Sequence, residues 1–405
     1  MGGHLSFNGR SLCLKGGGGS IEISHSSDRL KLELDQGLIY LAIVNLKLEL
    51  STAAEAVFHL ERVTELKPLV PEKRRYFVDS HVKLESVELW QQFLKATHDF
   101  FQSEQFLHVE TPSLTDCPGM EPTLDPIQAN TIPLGSEFET YLPTSPELSL
   151  KKFVAAHCAD VYEVRKCFRD KELTPWHEPE FTMMEWYRTF DDVSGLIDTF
   201  KRWMQALQLG LAGTRKMPDL KVISVREAFQ GALGETLNPK VDLPDLQQMF
   251  LRNNLEFSES DQFEDLISRL LVEKIEPWLL QQGTAIALVD YPQKMAALSR
   301  IDSEGWAQRV EIYWEGVELA NGFDELTDGE EQRKRFQQDN HSRVAMGRSP
   351  LAGDEAFLRA LDWGLPPCAG IAVGLDRVFM QLFELENIKK ANPFNWSWRI
   401  QSKDF

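Results

Sequence analysis

Two arginines mark positions at which this sequence could bind phosphate. Arg169 follows an apolar run, Val161–Phe168, that is typical of a β-strand, and Arg377 begins a stretch with helical spacing. The planar guanidinium group offers paired donors that remain charged, and a helix N-terminus adds a positive dipole. Two such residues suit a bent polyphosphate, with one arginine at the α-phosphate and the other at the γ-phosphate. The pair predicts phosphate binding.

Two carboxylates could hold a metal ion beside that polyphosphate. Glu318 and Glu325 lie on either side of residues 320–322, Ala-Asn-Gly, which the sequence favours as a turn. If Glu318 ends a strand, both side chains face one cavity. Carboxylate oxygens are suitable ligands for Mg²⁺ that bridges phosphate oxygens. The pair therefore predicts a Mg²⁺ site formed by Glu318 and Glu325.

A third group of polar residues stands in apolar contexts, as is typical of a ligand pocket. Its carboxylates suit amines, so the group predicts a pocket for a small substrate with two amino groups. The residues are Ser145, Glu147, Glu185, Tyr187 and Asn321.

Each of these residues also has a simpler explanation when it is taken alone. The region around Arg169 could be a hairpin with a solvated ion-pair loop, and Arg377 could make a salt bridge at a helix start. Glu318 and Glu325 could be ordinary strand-end and turn charges, and Glu147 a first-turn helix acid. Perturbed ionisable groups cluster at functional sites but also in structural networks, so the residues alone leave both explanations open.

The elements that would position these residues can be read from periodicity. Residues 161–168 and 181–187 predict two antiparallel strands joined by a long loop, with Arg169 at the loop entrance. Thr-Ser-Pro-Glu at 144–147 predicts a helix that continues to about residue 157. Residues 309–319 alternate as one strand that continues into 320–326, and 370–385 predict a strand, a turn at Gly374 and a buried helix.

The remaining chain divides at a basic, proline-containing linker, residues 67–75. Before it, residues 29–34, 38–44 and 45–50 predict short strands of a small barrel or sandwich of about five strands. The glycines at 16–19 fit either a flexible spacer or a loop. We predict a β-rich domain at residues 1–75 and a larger domain at 76–405. In the larger domain, residues 82–106 have helical spacing, residues 107–111 predict a strand, and residues 214–282 predict short helices.

Composition limits the classes of function. The net charge is −19, and because residues 1–75 are nearly neutral, the acidity falls on residues 76–405. This charge argues against a broad nucleic-acid surface and favours an amine-bearing substrate or a basic partner protein. No apolar run approaches the roughly 20 residues of a membrane span, and no signal peptide is evident. Five scattered cysteines predict free thiols in a reducing cytoplasm.

Several motifs together resemble one family. Residues 168–188, FRDKE followed by HEPEFTMMEWYR, resemble motif 2 of the class II aminoacyl-tRNA synthetases, and GIAVGLDRVFM at 370–380 resembles their motif 3. FLHVETPSL at 106–114 is similar to motif 1, which would place Pro112 at a dimer interface. TSPE and GVELANGFDELTD indicate the lysyl branch, and the chain is most similar to members that attach (R)-β-lysine to elongation factor P. The resemblance covers about residues 78–390 and implies an α+β fold, an antiparallel sheet flanked by helices, here preceded by a degenerate OB-like β domain.

The resemblance also implies roles for individual residues. Arg169 and Arg377 would be catalytic and bind the phosphates of ATP, and Glu318 and Glu325 would serve Mg²⁺. The implied ATP site comprises Arg169, Asp170, Lys171, Glu178, Glu318, Leu319, Gly374 and Arg377. The implied amino-acid pocket comprises Ser145, Pro146, Glu147, Glu185, Tyr187, Asn321, Glu325 and Ala372.

Three positions distinguish this chain within the family. Ala372 stands where lysyl-tRNA synthetases have Gly, and one added methyl shifts substrate preference by about 1–3 kcal/mol. Lys171 replaces a Glu that helps to position ATP, and Glu178 replaces an Asn near the nucleotide. If Lys171 weakens ATP use, Lys171→Glu should raise activity, and Glu172 could take over the missing role.

The resemblance implies a cytoplasmic, homodimeric ATP-dependent ligase that uses Mg²⁺. It would adenylate lysine or (R)-β-lysine and transfer it to a lysine of elongation factor P, with tRNA an unlikely acceptor given the low basic charge. Two alternatives remain at this point: a truncated lysyl-tRNA synthetase, and a catalytically silent paralogue that binds an amino acid and regulates a partner.

Overall fold

The structure is a computed structural model that describes residues 2–7, 11–16, 19–24, 40–50, 56–68, 84–131, 138–392 and 396, with side chains at 86–131, 139–392 and 396. By contacts the chain divides into two compact units, Met1–Val82 and Lys83–Phe405. The predicted division between residues 75 and 76 lies in 69–83, outside the described residues, and stays a prediction.

The first unit contains a five-stranded antiparallel sheet, as its alternating segments predicted. Its strands are β1 (Gly2–Phe7), β2 (Ser11–Gly16), β3 (Gly19–Ser24), β4 (Tyr40–Leu50) and β5 (Ala56–Pro68), in the order β3-β2-β1-β4-β5. Gly16 of β2 pairs with Gly19 of β3, while residues 17 and 18 lie outside the described residues, so the choice between a spacer and a loop stays a prediction. The strands predicted at 38–44 and 45–50 are parts of one strand, β4. The strand predicted at 29–34 and the linker beyond residue 68 lie outside the described residues.

The second unit is built on an eight-stranded sheet in the order β11-β12-β13-β14-β15-β10-β9-β6. Its six inner strands pair antiparallel, as expected, while the edge strands β11 and β6 pair parallel to their neighbours. The strands are β6 (Leu107–His108), β9 (Val161–Phe168), β10 (Glu180–Thr189), β11 (Leu220–Ser224), β12 (Ala285–Pro292), β13 (Trp306–Trp314), β14 (Val317–Asp324) and β15 (Cys368–Gly374). A separate hairpin pairs β7 (Gln128–Thr131) with β8 (Phe138–Tyr141).

Helices flank this sheet and confirm the α+β fold class. They are α1 (Leu84–Ser103), α2 (Glu147–His157), α3 (Val193–Gly210), α4 (Val225–Leu233), α5 (Leu243–Arg252), α6 (Phe263–Leu270), α7 (Glu276–Gln281), α8 (Gly329–Ala345), α9 (Glu355–Gly364), α10 (Leu375–Leu382) and α11 (Ile388–Ala391). A π-helical turn, Leu271–Ile275, joins α6 to α7, and a 3₁₀ turn follows β12 at Gln293–Met295. No helix in the described part of the chain is long and apolar enough to cross a membrane.

The two faces of the sheet carry different side chains, because successive residues of a strand point to opposite sides. On β10, Met184 and Trp186 are fully buried in a large apolar core with helices α1, α3 and α10. Trp203 of α3 and Phe93 of α1 lie in the same core. The alternate β10 residues, at 183, 185 and 187, point to the opposite face, where the polar residues gather.

Two predicted features of the sheet are wrong. Residues 309–326 do not form one strand followed by a turn at 320–322, because the chain reverses at Glu315 and Gly316. Both residues have left-handed backbone conformations, with φ of 50° and 75°, the geometry of a two-residue hairpin. Asn321 therefore lies inside β14. The second feature is the pair of sheet edges: the strand predicted at 107–111 is confined to Leu107–His108, and the strand β11 lies in a segment predicted as short helices.

Candidate active site

A β-bulge in β14 determines which side chains share the site. Glu318 pairs with Tyr313 and Ala320 with Ile312, so that Leu319 is an extra residue opposite two consecutive partners. A bulge shifts the alternation of a strand by one residue. Glu318 and Asn321, which simple alternation would place on opposite faces, therefore face the same side.

Five adjacent strands contribute one residue each to a continuous row across the polar face. In strand order the row is Glu311, Asn321, Ala372, Glu185 and Glu163, each paired in register with the next. Strand neighbours lie about 4.8 Å apart, so the row places a carboxylate, an amide, a methyl group and two further carboxylates side by side.

A cavity of about 370 Å³ lies over the first four residues of this row. The predicted residues that line it are Ser145, Glu147, Arg169, Glu178, Glu185, Glu318, Leu319, Asn321, Ala372, Gly374 and Arg377. The predicted residues that do not line it are Pro146, Asp170, Lys171, Tyr187 and Glu325. Most of the predicted site is therefore brought together in one cavity.

Arg169 presents an unpaired donor at this cavity. It follows β9, and its backbone N–H donates to the carbonyl of Pro179 over 3.0 Å, which fixes the loop entrance. Its guanidinium carbon lies 5.1 Å from the centre of the Phe181 ring. The buried Nε has no hydrogen-bond partner among the described residues. A buried, charged donor without a partner fits an anion that the ligand would supply.

Arg377 contacts the backbone of β14 and a histidine in the loop between β9 and β10. Its Nη1 donates to the backbone carbonyl of Glu318 over 2.7 Å, and its Nη2 lies 2.6 Å from Nε2 of His177. Burial, and then the charge of Arg377, lower the pKa of His177 to about 4, so the ring is neutral. Because arginine can only donate, Nε2 accepts, and Nδ1 carries the proton 2.8 Å from Oγ1 of Thr174.

The carboxylate that accompanies Glu318 in the cavity is Glu311. Both line the cavity, and burial, followed by the charge of Glu311, raises the pKa of Glu318. Tyr291 donates to Glu311 over 2.7 Å. Glu325, the predicted partner of Glu318, is buried with its Oε2 2.6 Å from Nζ of Lys151. No cluster of three or more His, Cys, Asp or Glu side chains that could hold a metal ion occurs in the residues that the structure describes.

A second acidic part of the cavity is formed by Glu185, further along β10, and Glu147 of α2. Tyr187 donates to Oε1 of Glu185 over 2.5 Å, while the buried Oε2 of Glu185 has no hydrogen-bond partner among the described residues. Burial, and then the charge of Glu147, raise the pKa of Glu185 well above its ordinary value. Tyr187 thus orients Glu185 from outside the cavity, and an ammonium group is the complementary ligand for the open oxygen.

The two unusual residues of the β9–β10 loop differ in where they point. Lys171 is 72% exposed, and its Nζ lies 3.3 Å from Oδ2 of Asp125, while the next residue, Glu172, lines the cavity. Glu178 is buried and lines the cavity, and its Oε2 accepts from the backbone N–H of Trp396 over 2.8 Å. Lys171 therefore contacts a neighbouring loop, whereas Glu178 lies at the site.

Sequence reasoning missed several residues that line the cavity. Arg309 and Glu311 had a usable signal, because alternation through β13 places them on one face with Tyr313. For His177 the only available sequence signal was its position within the long loop. Glu121, whose pKa burial raises, comes from an irregular segment and had no periodic signal at all.

Comparison with known proteins identifies the family of this chain. A family model described as tRNA synthetases class II (D, K and N) matches residues 73–396, and the chain belongs to this family. The recognition made from motifs 2 and 3 is therefore confirmed.

Curated relatives show which members of this family the chain resembles. A protein of Proteus mirabilis (strain HI4320) named elongation factor P–(R)-β-lysine ligase is 36% identical over 303 residues, which cover 73% of this chain and 90% of that protein. One of the same name from Hamiltonella defensa is 32% identical over 308 residues, covering 74% and 92%. An Aquifex aeolicus protein named as a homolog of this ligase is 31% identical over 296 residues, covering 73% and 94%.

Proposed function

We propose that this chain is an ATP-dependent ligase that adenylates lysine or (R)-β-lysine and transfers it to a lysine side chain of elongation factor P. The observation that carries the proposal is the division of one cavity into two chemical ends. Arg169 and Arg377 follow the ends of β9 and β15, whereas Glu185 lies inside β10 opposite Ala372, with the charge of Glu147 close to it. An amino acid with a second amino group fits between them, with its carboxylate towards the arginines.

The residues support a mechanism that needs no protein nucleophile. The substrate carboxylate attacks the α-phosphorus of ATP, forms the mixed anhydride and releases pyrophosphate. Arg169, with its unpaired Nε, stabilises the negative charge that grows on the α-phosphate oxygens. Arg377 binds the departing pyrophosphate. The amine of the acceptor lysine then attacks the carbonyl carbon, loses a proton and expels AMP, which leaves an amide bond.

The cavity also fits a divalent cation. Eight carboxylates and three guanidinium groups line it, so a polyphosphate needs further positive charge to bind there. Glu311 and Glu318 would hold Mg²⁺, and phosphate oxygens and water would complete its usual six oxygen ligands. Bound there, Mg²⁺ would neutralise charge on the phosphates. Glu325, which the sequence predicted for this role, does not line the cavity and pairs with Lys151.

We further propose a cytoplasmic homodimer. The strand β6 is an edge of the large sheet, and its Leu107, which is 51% exposed, lies within the segment similar to motif 1. The four cysteines whose side chains the structure describes are free. Light scattering should give twice the chain mass of 46.3 kDa.

Exchange of labelled pyrophosphate into ATP tests the activation step. A panel of α-lysine, (R)-β-lysine, ornithine and arginine is added one at a time. We expect exchange with α-lysine or (R)-β-lysine that depends on Mg²⁺. No exchange with any member of the panel would reject both enzyme interpretations and favour the silent, amino-acid-binding paralogue.

Transfer of labelled amino acid tests the acceptor. We expect label on elongation factor P, and none on a variant of that factor that lacks its acceptor lysine. Label on lysine tRNA but not on elongation factor P would reject the protein-ligase proposal in favour of a truncated lysyl-tRNA synthetase.

A further inference from the structure

A buried lysine ties together the carboxylates at the amine end of the cavity. Lys151 lies one helical turn after Glu147 on α2, so their side chains share a face of the helix. Its Nζ lies 2.6 Å from Oε1 of Glu147 and 2.6 Å from Oε2 of Glu325, and its side chain is 1% exposed. Lys151 thus links α2 to the residue that directly follows β14.

A buried ammonium group is stable only when carboxylates surround it. Burial by itself would lower the pKa of Lys151, but Glu147 and Glu325 raise it, so the lysine stays charged. When ionised, the two carboxylates bonded to it, together with the nearby Glu185, exceed its single positive charge. Burial raises the pKa of Glu325 to about 8 and that of Glu185 well above its ordinary value, so these groups tend to hold protons, which an ammonium ligand would replace.

Two oxygens of the group have no hydrogen-bond partner in the described part of the chain. Oε1 of Glu325 and Oε2 of Glu185 are buried without hydrogen-bond partners among the described residues. A Cβ atom at Gly370 would lie 2.8 Å from Oε1 of Glu325 and would also overlap the Tyr187 ring, so glycine is needed for this close approach. Lys151 holds one oxygen of each of its two carboxylates and leaves the other available.

We propose that Lys151 is a positioning residue that sets substrate specificity, because Glu325 anchors it outside the cavity and it in turn holds Glu147, which lines the cavity, where that carboxylate receives an ammonium group of the substrate. This inference rests on the proposed function, since it assumes a substrate with a side-chain amine. Lys151 itself does not touch the reacting atoms. Its effect is on amine recognition and not on the phosphate end of the cavity.

Lys151→Met tests the inference, because methionine keeps a similar length without the charge. We expect the KM for lysine in pyrophosphate exchange to rise about tenfold or more, with the KM for ATP within about twofold of the parent. The lysine KM should also fall more steeply with rising pH, since carboxylates without their ammonium partner keep protons to higher pH. Lys152→Met is the matched control, as the adjacent Lys152 pairs with Asp354 over 2.5 Å and should affect stability alone.

A second variant covers the case in which Lys151→Met does not fold. Lys151→Met combined with Glu325→Gln removes one carboxylate with the lysine, which restores the charge balance of the buried group. We expect it to be folded by circular dichroism and still to show a raised KM for lysine, because Glu147 has lost its anchor. A folded single or double variant with the parental lysine KM and pH profile would overturn the inference.

Direct binding separates this inference from the proposed function. Calorimetric titration with lysine needs no ATP and no chemistry. If the parent chain binds lysine but supports no exchange, the ligase proposal fails, while weaker binding by Lys151→Met still supports the inference. If the parent exchanges and Lys151→Met is unchanged, the inference fails alone. A parent that neither binds nor exchanges rejects both.

Discussion

Lys171→Glu should impair ATP use, although sequence comparison suggests that it restores a family residue. Lys171 does not line the cavity, and its Nζ lies 3.3 Å from Oδ2 of Asp125. The loop that ends at Asp125 lines the cavity through Glu121 and Leu124. Its backbone carbonyl at Asp125 accepts from the N–H of Asp170 over 2.8 Å, so the pair joins two loops that already touch.

The size of the effect follows from the exposure of the pair. An ion pair as exposed as this one contributes about 0.2–1 kcal/mol. A glutamate opposite Asp125 adds repulsion of about 1 kcal/mol at about 4 Å in water. Both residue types have a Cβ, so the left-handed backbone at residue 171, with φ of 64°, costs the same in each. Asp125 also pairs with Arg348 over 3.1 Å, which offsets part of this repulsion. A remaining loss of about 1 kcal/mol corresponds to about a fivefold change in binding.

Pyrophosphate exchange at varied ATP concentration measures this effect. We expect the KM for ATP to rise about two- to fivefold in Lys171→Glu, with the KM for lysine unchanged. At roughly 0.5 M salt the rise in the KM for ATP should be smaller, because salt screens exposed charges. In an Asp125→Asn background the same substitution should have less than about a twofold effect. Lys201→Glu breaks a comparable exposed pair with Asp198 on α3 and serves as the control.

Two outcomes would refute the reasoning. A large gain of activity in Lys171→Glu would mean that Lys171 is a defect in the ATP site. An equal loss in the Asp125→Asn background would mean that the substitution acts through some contact other than this pair.

Three further predictions concern the two ends of the cavity and the loop between them. Arg169→Gln should lower kcat in exchange by about 10²–10³, because it removes a charged donor that acts on the transition state. Burial, Arg377 and Arg169 together lower the pKa of His177 to about 4 from 6.5, so its contribution to stability is present above pH 6.5 and is lost as the pH falls towards 4. Urea unfolding at several pH values should therefore show a shallower acid loss in His177→Gln. Gly370→Ala should raise the KM for lysine and leave the KM for ATP unchanged, since the new methyl overlaps Tyr187.

Each of these has a result that contradicts it. An Arg169→Gln enzyme within about twofold of the parent would remove Arg169 from the α-phosphate. Parallel pH profiles for the parent and His177→Gln would mean that His177 titrates normally. Gly353→Ala is the control for Gly370→Ala, because its nearest neighbour is 3.9 Å away, and an equal effect of both would argue against a local clash.

Local patterns were enough to predict the elements that carry most of the site. Regular residue spacing and clear turn or cap residues occur within a short stretch at four places: β9, β10, the start of α2 and the β15–α10 junction. These elements position Arg169, Glu147, Glu185 and Arg377, all of which line the cavity. The physical reason is that the position of each of these side chains depends on a single turn or on the alternation of side chains along a single strand. Neighbouring residues determine both.

The placement of Glu325 and Glu311 could not be predicted in the same way. Reading residues 309–326 as one strand overlooked the two-residue turn at 315–316, although Glu-Gly between alternating runs was an available signal. The bulge at Leu319 then changed which residues face the cavity, and bulges have no reliable sequence pattern. The contact of Lys171 with Asp125 joins residues 46 positions apart, so only the folded chain reveals it.

The row from Glu311 to Glu163 has a consequence for how ligand binding and folding are coupled. Its five members come from five strands that are scattered along more than a hundred residues of chain, so the site exists only when every strand is in register. A slip of one residue in β13, β14, β15 or β10 turns the member from that strand away from the cavity. Ligand therefore binds only the fully ordered sheet, and lysine at about a hundred times its dissociation constant should add about 2.7 kcal/mol to the free energy of unfolding. Substrate supply would then protect the sheet itself from unfolding and proteolysis.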